Sequence, residues 1–157
     1  MRYAACFLCA ALAVSAAASA DEITLATGGK SDYVIVLPAK PAAPLTTAAK
    51  ELQDHLAQAT GATLKIVGES EAPAESPQIV LGPSDRMKQL LPGVDVNALG
   101  HDGIVVKTVG KNLILAGRPP RGTLYAVYTF LEDVVGCRWW TSTESFVPKK
   151  PTLTIST

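Results

Sequence analysis

Arg138-Trp139-Trp140 holds the side chains best suited to gripping another molecule. Successive residues of a strand point to opposite faces, so Trp139 faces one way and Arg138 with Trp140 the other. One indole can then enter a core while the second stands beside an arginine. Such a pair suits a sugar ring or a protein interface, and it is equally at home under the domain's own helices. Arg121, at the head of the preceding helical stretch, is a further candidate for the same seam.

The other chemical signals are weaker. Glu132-Asp133 is the obvious carboxylate pair, and glycosidases use two carboxylates about 5–9.5 Å apart across the scissile bond. Consecutive helical residues point about 100° apart, however, so these two do not converge on one substrate atom and read as a solvated face. A nucleophilic Cys137 would need a histidine base, and His55 and His101 are not placed for it by any hydrolase motif. His55 instead follows Glu51 at the i, i+4 spacing of a surface pair. Neither CxxC nor HxxxH occurs, so no metal is expected. Gly117 to Thr123 has the outline of a phosphate loop but lacks the Lys-Ser/Thr that must follow its second glycine. Pro119 and Pro120 also have no N–H to offer a phosphate, which leaves a stiff strand-to-helix turn. No catalytic residue, metal or cofactor is assigned.

The chain of 157 residues carries 14 basic and 14 acidic side chains, a balance that argues against nucleic acid or an anionic membrane surface as partner. Residues 1–20 read as a signal peptide. Arg2 supplies its charge, Phe7–Val14 its apolar stretch and Ala18-Ser19-Ala20 its cleavage site. The apolar run is too short to span a bilayer. Export to the periplasm or beyond follows, with residues 21–157 left as one domain. Cys6 and Cys9 leave with the leader, so Cys137 stays unpaired and behaves as a small buried apolar group.

The elements that position these residues are legible from spacing. Ile23–Ala26 and Tyr33–Leu37 read as strands, and Pro38–Pro44 as a proline-rich connector. Thr46 or Thr47 can cap a helix running to Ala59, with Leu45, Ala48, Leu52, Leu56 and Ala59 on one face and Gly61 as its stop. Strands follow at Thr63–Val67 and at the buried run Gln78–Leu81. Ser84 caps a short helix carrying Met87, Leu90 and Leu91. Asp102–Thr108 and Asn112–Ala116 form a hairpin, apolar on both faces and therefore expected inside the sheet. A second long helix spans Arg121–Val135 with a stripe of Leu124, Val127, Tyr128, Leu131, Val134 and Val135. Gly136 ends it, Cys137–Thr141 continues extended, and Thr152–Ile155 is a last strand. The order implies an α+β fold: a mixed sheet with two main helices sharing one face.

Ala49, Glu51-Leu52, Gly61, Ile79–Gly82, Asp102-Gly103, Leu113–Gly117, Arg121–Tyr128, Leu131-Glu132, Gly136–Trp139 and Val147-Pro148 form a series across residues 23–156. This series resembles the N-terminal domain of family-67 α-glucuronidases and related secreted bacterial proteins. More distantly, it is similar to the non-catalytic domain of family-20 β-N-acetylhexosaminidases. The resemblance implies an accessory domain packed beside a (β/α)₈ barrel that holds the catalytic acids. Such barrels take about 250 residues, and none is present here. Two partners are therefore expected: the missing barrel, supported through Arg138, Trp140 and Arg121, or a polysaccharide, bound by Trp139 or Trp140. With its barrel such a domain would serve hydrolysis of a glycosidic bond, such as the α-1,2-linked glucuronosyl branch of xylan.

Overall fold

The computed structural model describes residues 22–157. Residues 1–20, the stretch read as a signal peptide, with Cys6 and Cys9, lie outside them. Among the described residues, nine strands and three α-helices make up the α+β architecture expected, with strands β1 Glu22–Ala26, β2 Val34–Leu37, β3 Lys65–Gly68, β4 Gln78–Leu81, β5 Ile104–Val109, β6 Asn112–Gly117, β7 Arg138–Trp139, β8 Ser145–Phe146 and β9 Leu153–Ser156. The helices are α1 Ala43–Thr60, α2 Asp85–Leu90 and α3 Gly122–Thr129, and α3 runs on into a π-helical turn at Phe130–Val135.

The main sheet has the order β3-β2-β4-β6-β5. Its first four strands are mutually parallel and β5 is antiparallel to β6. Alternation sorts the central strands onto two layers. Ile35, Leu37, Ile79, Leu81, Leu113 and Leu115 face α1 and α3, meeting Ala48, Leu52, Leu56, Ala126, Val127 and Phe130. Val80, Ile114 and Ala116 face the other way, onto Met87 of α2 and Val96 of a short 3₁₀ turn. Strands covered on both faces must be apolar where they are covered, which is why β4 and β6 run apolar from Ile79 to Leu81 and from Leu113 to Ala116. The two main helices do share one face.

Several boundaries differ from expectation. Helix α1 begins at Ala43, so Pro44 sits in its first turn, where the missing N–H costs nothing. Neither Thr46 nor Thr47 is the cap. Gly61 does close the helix, at φ 86°. Ser84 caps α2 as expected, its hydroxyl accepting from the Met87 N–H at 3.0 Å. Of the hairpin expected inside the sheet, only β6 lies there, whereas β5 is the sheet's edge. The apolar residues of β5 answer to both layers, Ile104 and Val106 packing against the helical side and Val105 and Val109 against the other. Thr157 bonds to β5 twice, the Thr108 N–H donating to Thr157 Oγ1 at 2.6 Å and the Thr108 hydroxyl to the Thr157 carbonyl at 3.2 Å.

In the second long helix, Ala126 and Phe130 are wholly buried, while Leu124, Tyr128 and Val134 are only half so. Beyond Thr129 the period itself changes: the wider π turn sets Phe130 and Val135 five residues apart on the buried side, a spacing a 3.6-residue period does not give. Gly136 then reverses the chain at φ 94°, its N–H and that of Cys137 both donating to the Leu131 carbonyl. Outside the main sheet, β1 pairs antiparallel with β9, and β7 pairs with β8.

Candidate functional site

Strand β7 follows Gly136 and carries Trp139 against His55 of α1 and Tyr128 of α3. The alternation is as expected. Trp139 turns inward and is half-buried, its ring edge-on to Tyr128 at 5.3 Å and 84°, and tilted on His55 at 5.3 Å and 59°. Two rings of the domain itself therefore pack against that indole. Beneath it, His55 Nδ1 lies 2.8 Å from the Glu51 carbonyl and 3.6 Å from the Glu51 carboxylate. Burial raises the Tyr128 phenol above its usual pKa. The Glu51 charge, and the hydrogen bond Tyr128 gives that carboxylate, act in the same direction. A small polar cluster thus ties α1 to α3 under a tryptophan lid.

Trp140 turns outward and is 62% exposed, beside a Phe146 that is 49% exposed. Their ring centroids lie 6.5 Å apart with planes inclined at 33°. The β7–β8 hairpin sets this pair: Arg138 is opposite Phe146, and the Trp140 N–H donates to the Glu144 carbonyl at 3.0 Å. Arg138 does not reach toward the pair. Its Nη1 donates to the carbonyls of Glu132 at 2.6 Å and Cys137 at 2.7 Å, placing a cation at a helix C-terminus, where the dipole favours it.

Arg121 stands apart from this group. It sits at the opposite end of α3 and its π turn, about 20 Å away at 1.5 Å per helical residue. There it faces Asp102 at 3.6 Å and lies 5.4 Å over the Tyr125 ring. The structure thus brings together three of the four residues singled out by sequence and adds Phe146, an isolated aromatic whose only sequence signal is the polar run around it.

The remaining chemical candidates do not converge. Glu132 and Asp133 are exposed on the outer face, and His101 lies in an exposed turn. Cys137 is 0% exposed, and burial pushes its thiol pKa up against the opposing pull of Arg138 and Lys150. Among the described residues no cluster of three or more His, Cys, Asp or Glu could hold a metal, and no helix is long and apolar enough to cross a membrane. The Gly117–Thr123 turn is a backbone crossing, where a Cβ on Gly117 would stand 2.4 Å from the Gly122 carbonyl carbon.

Comparisons with known proteins agree with this architecture. The chain is 26% identical over 98 residues to the probable alpha-glucuronidase A of Aspergillus terreus, a stretch that covers 62% of the chain and 12% of the relative. Among solved structures it resembles a family GH115 4-O-methyl-alpha-glucuronidase with specificity for decorated arabinogalactans, at a TM-score of 0.53 and 20% identity, over 85% of this chain and 17% of that one. It also resembles CpGH84D, at a TM-score of 0.51 and 13% identity, over 91% and 22%. At those identities the likeness is one of fold. The chain therefore spans a small fraction of each relative. The model of the glycosyl hydrolase family 67 N-terminus matches residues 19–130, well over half of the sequence, and the chain belongs to that family.

Proposed function

We propose that this protein is an exported, non-catalytic accessory domain of a polysaccharide-degrading glycosidase, one that supports a catalytic barrel by packing against it. The reading of residues 1–20 as a signal peptide supports export. The observation that carries the proposal is the Trp140–Phe146 pair, held outward by a hairpin whose neighbouring Trp139 is already committed to the domain's interior. Two large aromatics presented together above a rigid helical layer are what an interface core needs. The small share of each relative that this chain spans supplies the occupant, namely the remainder of the glycosidase. In that assembly the reaction served is hydrolysis of a glycosidic bond, with a glucuronosyl branch of xylan as the expected substrate.

A second reading is favoured by the same pair. Rings inclined at 33° could act as a stacking platform for a glycan, with the exposed Trp140 and not the half-buried Trp139 as the contact. Two measurements separate the readings. The full chain is mixed with an α-glucuronidase lacking its own N-terminal domain, and it is titrated with neutral xylo- and chito-oligosaccharides while tryptophan fluorescence is followed. The seam predicts association weakened about 30-fold by Trp140→Ala, the loss of an interface hot spot worth about 2 kcal/mol, and no fluorescence response. Fluorescence changes lost in Trp140→Ala, without any association, would overturn the seam in favour of the glycan platform.

A further inference from the structure

At the carboxyl edge of the parallel strands, β2 and β4 lie side by side but send their chains to opposite faces. From β2 the chain enters α1 on one layer, and from β4 it enters α2 on the other. No connection crosses the gap between them, and in open parallel sheets that gap is where ligands bind. A cleft of about 260 Å³ occupies it here, lined by Pro38, Lys40, Ala42, Leu45, Pro83, Pro119, Pro120 and Thr123. Residues from behind three parallel strands meet in it, and none of them belongs to the Trp140 hairpin.

The lining has a definite chemistry. Pro38, Pro83, Pro119 and Pro120 present rigid C–H surfaces that carry no N–H donor, and Leu45 adds its methyls. The closure of Gly117 on Gly122 holds the loop bearing Pro119-Pro120 in place. Against this apolar wall stand two polar groups. Lys40 is the only charged residue lining the cleft, with no carboxylate there to neutralise it. Thr123 is 6% exposed, yet its hydroxyl has no hydrogen-bond partner among the described residues and is not sealed from solvent. A nearly buried hydroxyl left open toward a cleft is an unused donor and acceptor.

We propose that this cleft is a binding site for a single six-membered ring bearing one carboxylate. The ring packs on the proline and leucine surfaces, the carboxylate pairs with Lys40, and a ring substituent bonds to the Thr123 hydroxyl. Size restricts the ligand to one ring, because pockets that hold drug-sized molecules run to about 300–1,000 Å³. An acidic sugar residue and a non-sugar cyclic acid share this chemistry. The site goes beyond the proposed docking of a catalytic barrel and does not depend on it.

The test follows backbone amides of the ¹⁵N-labelled full chain during titration with methyl α-D-glucuronide, cyclohexanecarboxylate and the neutral methyl α-D-glucoside. At least one of the two acids should shift the amides of Ala42, Leu45 and Thr123, saturating at millimolar concentration. The neutral glucoside should bind at least fivefold more weakly. Lys40→Ala, on an exposed loop, and Thr123→Val should each weaken the acid at least fivefold while the rest of the spectrum stays folded. Binding by the glucuronide alone identifies the source as a sugar, and comparable or tighter binding by cyclohexanecarboxylate identifies non-sugar acids. No shift with either acid, shifts centred on Trp140, or affinity unchanged in Lys40→Ala would overturn the site. Trp140→Ala serves as the control, since it should leave cleft binding intact whatever becomes of the seam.

Discussion

Gly117→Ala is the substitution whose cost the geometry fixes most directly. An ideal Cβ there would stand 2.4 Å from the carbonyl carbon of Gly122, 2.5 Å from its oxygen and 2.8 Å from its Cα. Carbon atoms settle at about 3.5–4.0 Å, so the head of α3 must withdraw by roughly 1 Å. No rotamer change can relieve the contact, because every obstructing atom is backbone. The displaced helix carries Ala126, Val127 and Phe130, all 0% exposed, off their seats on the sheet. A gap of that size forfeits about a quarter to a half of each dispersion contact along the seam. Overpacking ordinarily costs about 1–3 kcal/mol, and an unyielding backbone obstacle puts this case at the upper end, about 3 kcal/mol. For a domain of this size that is a fall in Tm of roughly 10–15 °C.

Gly68→Ala is the matched control. Its backbone needs no left-handed conformation and its added Cβ would meet nothing within 4 Å, so a stabilisation of about 0.4 kcal/mol is expected. Urea unfolding followed by circular dichroism would report both, with the slope of the transition confirming that compactness is unchanged. The reasoning fails if Gly117→Ala loses less than about 1 kcal/mol at a wild-type slope, or if Gly68→Ala loses as much as Gly117→Ala.

Other consequences are readily checked. Trp139→Ala should cost about 2–3 kcal/mol in urea unfolding, because it uncovers the His55–Tyr128 contact, whereas Trp140→Ala should stay within about 0.5 kcal/mol. In Tyr33 and Tyr128 the folded chain holds the phenol proton more tightly than the unfolded chain, whose phenols titrate near 10.0. The stability this confers is complete below that pH and is lost as the pH rises through the higher folded values. Thermal melts between pH 8 and 11.5 should therefore fall off in the alkaline range, and Tyr128→Phe should flatten that fall. Cys137, buried and with its thiol pKa raised, should react with a thiol reagent only through unfolded molecules, so urea should accelerate labelling in step with the unfolded fraction.

Much of this fold is legible in local pattern. The Leu52, Leu56 and Ala59 spacing, the Gly61 and Gly136 stops and the Ser84 cap are decided within a few residues of themselves, and the structure places them as read. What the sequence hides is decided by distant neighbours. Whether β5 or β6 lies inside the sheet depends on β4 pairing with β6, which no feature of either strand announces. The π turn at Phe130–Val135 answers to a buried layer that it shares with α1 and the sheet. The β8 strand, two residues long, exists only because Gly136 sends β7 back along the helices to meet it. As for the candidate site, the in–out alternation of Arg138, Trp139 and Trp140 was readable, but the pairing of Trp140 with Phe146 was not. The proline cleft was hidden altogether, since its walls come from segments some 80 residues apart in the chain.

The pairing of β1 with β9 has a further consequence. Glu22 lies opposite Ser156 in an antiparallel ladder, so the path in and the path out share one doorway only about 5 Å wide. A unit that closes on itself in this way can be spliced into a surface loop of a larger polypeptide, or have its ends joined and a new opening cut elsewhere, with almost no strain on the host. Its attachments can thus be rearranged while its interior stays the same.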